Sequence, residues 1–361
     1  MKKILLISFA LLIVTCISQA QTIRVANNNP GAATGINVFV GATALQDAIT
    51  ASTAGDIIYV VPSAVNYGIA TITQPLTLFG IGISPDSQSP NRSFLNTIVI
   101  DASDVRISGI SSTSEIQLGF NTTGTLNNII IENSRVKAVK MQASNCCSTS
   151  DISTLLIRNN VIQGTTGGGG HIRLRTTSNA VVTNNFFITN FTNGAEMVVA
   201  CCGAVFQYNL FADNGNDPPY DELMGCVFNN NIFYGTNPQI PASSINNIWN
   251  YNMSFGGGGT AFNTTTNGNT GTGNIENIDP LFVNMPITDT WTSSLDITLT
   301  ASSPALSTDA GNGSGEDIGP SGGATPFNFE GNLLPLIQSV IVPAVIPVGA
   351  DLPVTIKAKG N

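Results

Sequence analysis

A six-residue pattern of apolar and polar positions recurs along the middle of the chain. An apolar residue leads each copy, a Gly, Asn or Tyr holds the third position, and another apolar residue usually closes it. The copies begin at Leu78, Ile107, Ile131, Ile157, Val182, Phe206, Phe228 and Trp249, at intervals of 21 to 29 residues. One copy cannot bury its own apolar side, so the pattern predicts one coil per repeat, with parallel strands stacked around a continuous core.

The fourth position of the pattern is asparagine in five consecutive copies. These residues are Asn160, Asn185, Asn209, Asn231 and Asn252. Stacked amides can hydrogen-bond from one coil to the next, which would make an asparagine ladder. Asparagine also tolerates the left-handed backbone of a tight turn, so turns without a ladder are the alternative.

The composition favours strands and turns over helices. Charged residues make up 10% of the chain and hydrophobic residues 42%, and Gly, Asn, Thr and Ser are abundant. We therefore expect an all-β solenoid of about 8–10 coils. The segment Ala44–Ser52 has one apolar helical face formed by Leu45, Ala48 and Ile49, which predicts a short helix that caps the first coil.

Both ends of the repeat region resemble a known family. The segment Ala44–Gly80 is similar to the entry of pectin-lyase-like β-helix proteins, and residues 274–284, 303–311 and 317–319 resemble the closing coils of secreted bacterial members. The resemblance covers roughly Thr22–Ala324. It implies a single-stranded right-handed parallel β-helix, but it does not imply an activity, because one fold hosts many functions.

The amino terminus has the pattern of a secretory signal peptide. Lys2 and Lys3 precede an apolar stretch, and the small residues up to Ala20 suit cleavage there, so residues 1–20 are expected to be removed on export. A lipid anchor on Cys16 is the alternative. No later stretch is apolar for long enough to cross a bilayer, which predicts a secreted or cell-surface protein without a transmembrane segment.

The mature chain is expected to contain two parts. Residues 21–332 form the β-helix domain with its amino-terminal cap. Residues 333–361 contain four prolines between short apolar runs, which predicts a tail of edge strands, acting either as a carboxyl-terminal cap or as the start of an attachment module.

Charge restricts the class of partner. The formal net charge is -9 with only 13 Lys and Arg residues, which argues against nucleic acid, because phosphate neutralisation needs clustered cations. Extracellular polysaccharide or cell-surface glycan fits better, and we expect a monomer.

Five cysteines follow the predicted signal peptide: Cys146, Cys147, Cys201, Cys202 and Cys226. The odd number leaves at least one thiol outside any pair within the chain, and adjacent cysteines do not easily bond each other. Buried structural thiols are the favoured interpretation, with a disulfide as the alternative.

Charged side chains cluster on one predicted sheet. Its strands are Glu115–Leu118, Val139–Gln142, His171–Arg175 and Glu196–Val199, and alternation sends Lys140, His171, Arg173, Arg175 and Glu196 outward. In an enzyme, Arg173 or Lys140 would act as a base or carboxylate clamp beside Arg175, with His171 available for proton transfer. The alternative is a solvated face balanced by Glu196.

Two further sets of residues are candidates. The loop with Asp213, Asp217, Asp221 and Glu222 is rich enough in oxygen to hold calcium, although its spacing matches no known calcium motif and a plain acidic loop is the alternative. Tyr208 and Tyr220 are candidates for lining a glycan-binding groove with Glu196. No cofactor is required.

Two functions of different class follow. The first is a non-catalytic protein that binds extracellular polysaccharide. The alternative is a uronate lyase that uses Arg173, Arg175 or Lys140 with calcium. A glycoside hydrolase is less well supported than a lyase, because no paired aspartates lie in the neighbouring coils.

Overall fold

The structure is a computed structural model. It describes residues 21–83, 92–122, 124–141, 152–164, 171–174, 179–189, 197–199, 201–213, 219–236, 239–257, 262, 264–288, 292, 294–328, 336–341 and 355–359.

The chain folds into a parallel β-solenoid of about seven turns with three long sheets and one short helix. Each complete turn passes through sheet 1, then sheet 2, then sheet 3. Sheet 1 extends beyond the other two sheets at both ends, so the terminal coils lack a strand in one or two walls. The eight to ten coils expected from the sequence therefore include incomplete ones.

The strands of each sheet follow one another along the solenoid axis. Sheet 1 has twelve strands, in spatial order Val38–Val40, Ile23–Asn27, Asp56–Val60, Leu76–Phe79, Val105–Ser108, Ile129–Glu132, Leu155–Arg158, Ala180–Thr183, Val205–Gln207, Val227–Asn229, Ile248–Asn250 and Thr270–Thr272. Sheet 2 has eight: Phe94–Leu95, Ser111–Ser112, Arg135–Val136, Val161–Ile162, Phe186–Ile188, Leu210–Ala212, Ile232–Tyr234 and Met253–Phe255. Sheet 3 has seven: Ala70–Ile72, Ile98–Ile100, Glu115–Leu118, Ala138–Met141, Ile172–Arg173, Val198–Val199 and Tyr220–Asp221.

The repeat predicted from the sequence is confirmed by the register of sheet 1. The eight lead residues, from Leu78 to Trp249, are consecutive partners in one inward-facing column. All eight are buried. Where the column becomes aromatic the rings stack, at centroid distances of 4.7 Å for Phe206 with Phe228 and 4.0 Å for Phe228 with Trp249. The core is thus a stack of like residues.

The corner between sheets 1 and 2 explains the third and fourth positions of the pattern. From the second copy onward, third-position residues have positive φ, as in Asn159 at 53° and Asn184 at 52°. Fourth-position asparagines are buried and form the predicted ladder: Asn160 Nδ2 donates to Asn185 Oδ1 at 3.0 Å and to the Ile131 carbonyl at 2.9 Å. The same contacts continue to Asn252, which donates to Asn274 at 3.1 Å.

The predicted amino-terminal cap is confirmed. A helix spans Ala44–Ala51 and buries Ala44, Leu45, Ala48 and Ile49. Its Gln46 side chain accepts a hydrogen bond from the Thr71 N–H at 2.9 Å and donates to the Thr71 carbonyl at 3.4 Å. An amide side chain thereby takes the place of a further strand at the edge of sheet 3. Within the described part of the chain, no helix has the length and apolar character that would let it cross a membrane.

The closing segment differs from the expected closing coils. Residues 281–288 and 294–327 fold back over the outer face of sheet 2, and Phe282–Asn284 pairs antiparallel with Asp296–Leu299. Outward residues of sheet 2 and residues of the closing segment form one buried cluster, which includes Phe186, Leu210, Ile232, Met253, Met285, Ile297 and Ile318. The apolar outer face of sheet 2 supplies the reason, because it requires a cover.

The ends of the chain are described only in part. The predicted signal peptide, residues 1–20, lies outside the described residues. In the tail, Leu336–Ile341 pairs antiparallel with Thr355–Lys359, so two strands form within the segment where edge strands were expected.

The cysteines are of two kinds. Cys201 and Cys226 are buried thiols, as expected, and the Cys226 Sγ lies 3.3 Å from the Cys201 carbonyl oxygen. Cys202, in contrast, is disulfide-bonded, so the expectation of thiols alone is wrong at this position. Cys146 and Cys147 lie outside the described residues.

Candidate functional site

The outer face of sheet 3 carries a column of polar side chains. Gln117, Lys140 and Arg173 are consecutive partners on three adjacent strands, and the column continues through Val199 to Asp221. Neighbouring positions in such a column are about 4.8 Å apart. The column therefore presents functional groups in a straight line along the solenoid axis. This arrangement confirms the prediction that Lys140 and Arg173 share one outward face.

Lys140 has a counterion beside it. Its Nζ lies 3.2 Å from Glu115 Oε2, and the two side chains are 17% and 20% exposed. Gln117 Nε2 donates to the other carboxylate oxygen of Glu115 at 2.6 Å. The three side chains thus form one hydrogen-bonded group in which the charge of Lys140 is balanced.

Arg173 stands next to this group and is bonded differently. The side chain is half-buried, and its buried Nε has no hydrogen-bond partner in the structure as far as it is described. A guanidinium offers a fixed fork of donors, so its half-buried side chain can hold a carboxylate or hydroxyl oxygen. Arg175 and Glu196, predicted on the same face, lie outside the described residues.

His171 does not face outward as predicted. Its side chain is 1% exposed, and it packs against the backbone of Gly164, where a Cβ atom would overlap the imidazole Nε2. Burial, together with the positive charge of Lys140, lowers the pKa of His171 to about 3. The prediction is wrong because His171 lies before the strand Ile172–Arg173, where alternation no longer applies. A neutral, buried imidazole cannot transfer a proton to a polymer on the surface.

The tyrosines proposed for a groove lie elsewhere. Tyr220 faces inward as a register partner of Val198, is 1% exposed, and packs on Trp249 at a centroid distance of 4.8 Å. Burial raises its pKa well above the usual value. Tyr208 lies at the corner between sheets 1 and 2, where its hydroxyl contacts Glu316 of the closing segment. Neither tyrosine therefore borders the polar column of sheet 3.

Two of the residues predicted as calcium ligands, Asp213 and Asp221, lie on different sheets. Asp213 is buried at the end of a sheet 2 strand, whereas Asp221 belongs to sheet 3 and accepts hydrogen bonds from the Glu222 N–H at 2.8 Å and from the Ser243 hydroxyl. Among the described residues, no three acidic, histidine or cysteine side chains converge as metal ligands. Asp217 lies outside them.

Sequence reasoning missed a charged cluster on sheet 1. Glu132, 1% exposed, lies between Arg106 and Arg158, and its Oε2 is 2.6 Å from the Arg158 guanidinium. Burial by itself raises the pKa of Glu132, but hydrogen bonds and charge from the two arginines outweigh burial and lower it. Aligning the second positions of the repeat would have placed Glu132 directly beside Arg158.

Comparison with known proteins gives no match. No family model, no curated protein and no solved structure is significantly similar to the chain. The fold and the polar column must therefore carry any functional argument.

Proposed function

We propose that the protein is a secreted or cell-surface protein that binds extracellular polysaccharide along the outer face of sheet 3. The register of Gln117, Lys140 and Arg173 carries this proposal, because it aligns donors along one axis. An extended polymer has a repeating set of acceptors, and a straight row of donors matches such a repeat better than a closed pocket would.

Binding without catalysis is the favoured form of the proposal. General acid–base chemistry needs a titratable group within hydrogen-bond reach of the substrate. His171 is buried and neutral, and Lys140 is paired with Glu115. Arg173 is then the cation best able to contact a ligand, and an arginine alone is better suited to holding a carboxylate or hydroxyl than to removing a proton at neutral pH.

Export is part of the proposal. The signal-peptide pattern in residues 1–20 supports it, and so does the disulfide bond of Cys202, because such bonds persist mainly in oxidising compartments. The entry and closing segments that resemble pectin-lyase-like proteins support a right-handed member of that superfamily. The parallel solenoid is compatible with that assignment.

A uronate lyase is the second candidate, and one observation favours it. Lys140 and Arg173 are direct register partners, so a base and a carboxylate clamp could act on the same sugar. The lyase would add calcium to stabilise the charge that develops beside the carboxylate. Of the four acidic residues predicted as its ligands, Asp221 lies on the same outward column.

One experiment separates the two candidates. The mature protein is incubated with a panel of uronate and neutral polysaccharides, with and without calcium, while ultraviolet absorbance reports unsaturated products and a glycan array reports retention. Retention without products is expected. Products that disappear in Arg173→Ala would establish the lyase, and neither products nor retention would overturn both candidates.

A further inference from the structure

The outer face of sheet 1 carries an unbroken aliphatic column. Its six members are register partners on adjacent strands: Ile130, Leu156, Val181, Val205, Val227 and Ile248. The first five are half-buried, and Ile248 is 41% exposed. At about 4.8 Å per strand, the column is roughly 24 Å long. The six side chains therefore form one contiguous apolar stripe along the solenoid axis.

The same chain covers a comparable stripe elsewhere. On sheet 2, the outward column from Val161 to Met253 is buried beneath the closing segment. On sheet 1 the members of the aliphatic column keep part of their surface accessible to solvent. The aliphatic column therefore still has apolar area to bury.

The borders of the aliphatic column have the composition of an interface rim. One side is lined by exposed polar residues or glycines: Asn128, Thr154, Asn179, Gly203, Gly225 and Asn246. The other side carries Glu132, Arg158, Thr183, Gln207, Asn229 and Asn250. An apolar centre with a polar rim is the usual anatomy of a protein–protein interface.

We propose that this face binds a second copy of the chain in a two-fold dimer. The aliphatic column is close to a palindrome in side-chain size, with an isoleucine at each end and valines at the centre. A two-fold axis parallel to the strands, between Val181 and Val205, places each residue opposite one of similar size. Val181 then faces Val205 of the second copy, and Ile130 faces Ile248. Isologous dimers require this kind of self-complementary surface.

Charge favours the same arrangement. With the two solenoids antiparallel, Arg158 faces Asn229 of the second copy, so a guanidinium meets an amide. The Glu132 carboxylate is 1% exposed and is already paired with Arg106 and Arg158 of its own chain. Arg106 faces Thr270. Parallel solenoids would instead bring Arg106 against Arg106 of the second copy. The antiparallel dimer therefore opposes no like charges on this face.

The available area is sufficient for a specific dimer. Eight strands, from Val105–Ser108 to Thr270–Thr272, overlap in this arrangement. With strands about 4.8 Å apart and five residues of about 3.3 Å each across the face, each copy contributes roughly 600 Å². The total of about 1,200 Å² lies at the lower end of the range for specific interfaces. The area therefore supports a dimer, whereas the sequence led us to expect a monomer.

The test uses the full mature chain in sedimentation equilibrium. The wild-type protein should be dimeric, and Val181→Glu and Val205→Lys should each raise the dissociation constant by about 100-fold or more, because each leaves unpaired charges in the interface. An equimolar mixture of the two variants should dimerise again, since the axis places residue 181 of one copy opposite residue 205 of the other.

Val283→Glu is the control, because Val283 is 55% exposed and lies in the closing segment, away from sheets 1 and 3. It should leave the dimer intact. Both sheet 1 variants should keep the circular dichroism and polysaccharide retention of the wild type, so failure of the dimer and failure of glycan binding are distinguishable. A wild-type protein that stays monomeric at its highest soluble concentration would overturn the proposal, as would a mixture that does not dimerise.

Discussion

Gly164 and His171 illustrate how one residue determines the chemistry available to another. Gly164 has a φ of 71°, and its missing side chain leaves the space that the imidazole occupies. The imidazole is therefore held against Gly164 and has almost no access to solvent. A histidine that the sequence suggests for proton transfer is, in the fold, a core residue.

Gly164→Ala should be clearly destabilising. The positive φ alone costs about 1–2 kcal/mol, and the overlap of the new methyl group with His171 should raise the total to roughly 3 kcal/mol. Gly225→Ala is the control, because its φ is also positive, at 63°, and a Cβ there meets no described atom within 4 Å. Denaturant unfolding should show a larger loss of unfolding free energy for Gly164→Ala than for Gly225→Ala. In a chain that already carries His171→Ala, this difference between the two glycine variants should disappear. Equal losses at both glycines would contradict the packing account.

His171 should make stability depend on pH. Its pKa is about 3 in the folded chain, against 6.5 for the unperturbed group, so the unfolded state binds more protons between these values. Stability contributed by the neutral imidazole is therefore lost as pH falls below about 6.5. Relative to His171→Gln, the wild type should lose roughly 2–3 kcal/mol of unfolding free energy between about pH 7 and pH 4.5. Parallel pH profiles for the two proteins would contradict the burial of a neutral imidazole.

At the scale of the element, the corner between sheets 1 and 2 holds successive coils together. Its third position turns the chain through a left-handed residue, and its fourth position ties each coil to the next through an asparagine. Because the ladder residues are buried, their amides take the place of water for backbone groups that the turn leaves unpaired. The ladder thus extends the hydrogen bonding of the sheets around the bend.

Asn209→Ala tests the ladder. The amide donates to Asn231 and to the Val182 carbonyl, and it accepts from both the backbone and the side chain of Asn185. Leaving these buried groups unpaired should cost roughly 3 kcal/mol in urea unfolding. Asn250→Ala, on the outer face of sheet 1, should change stability by less than about 0.5 kcal/mol. Similar losses for both variants would mean that the ladder adds nothing beyond ordinary turn formation.

Strands that belong to a pattern with many copies could be predicted from the sequence, whereas strands of only two residues could not. The lead residues from Leu78 to Trp249 repeat often enough to establish the inward column of sheet 1. Sheet 3 strands such as Ile172–Arg173 have only two residues, too few for alternation to establish which way a flanking side chain points. The outward position of Lys140 could be predicted because its strand, Ala138–Met141, has four residues, whereas His171 flanks a two-residue strand and was placed wrongly. Tyr220 was misplaced because a two-residue strand gives no pattern that distinguishes inward from outward.

At the scale of the whole molecule, the three sheets have outer faces of different chemistry. Sheet 2 is apolar and covered by residues 281–288 and 294–327, sheet 3 carries the polar column, and sheet 1 carries the aliphatic column. The cover could not be predicted, because it depends on contacts between distant parts of the chain: Asn184, for example, donates to the carbonyls of Pro320 and Gly322. The proposed polysaccharide site therefore lies on the one outer face of the three that carries a polar column.

We propose above that sheet 3 binds polysaccharide. The most direct test measures the affinity of the Arg173→Gln variant for the glycan that binds the wild-type protein on the array. Losing a charge-assisted contact should weaken binding by about 10-fold or more, because such hydrogen bonds contribute about 1.5–3 kcal/mol. Arg92→Gln removes the same charge beside sheet 2 and should bind like the wild type. Equal affinities for the wild type and both variants would contradict the claim.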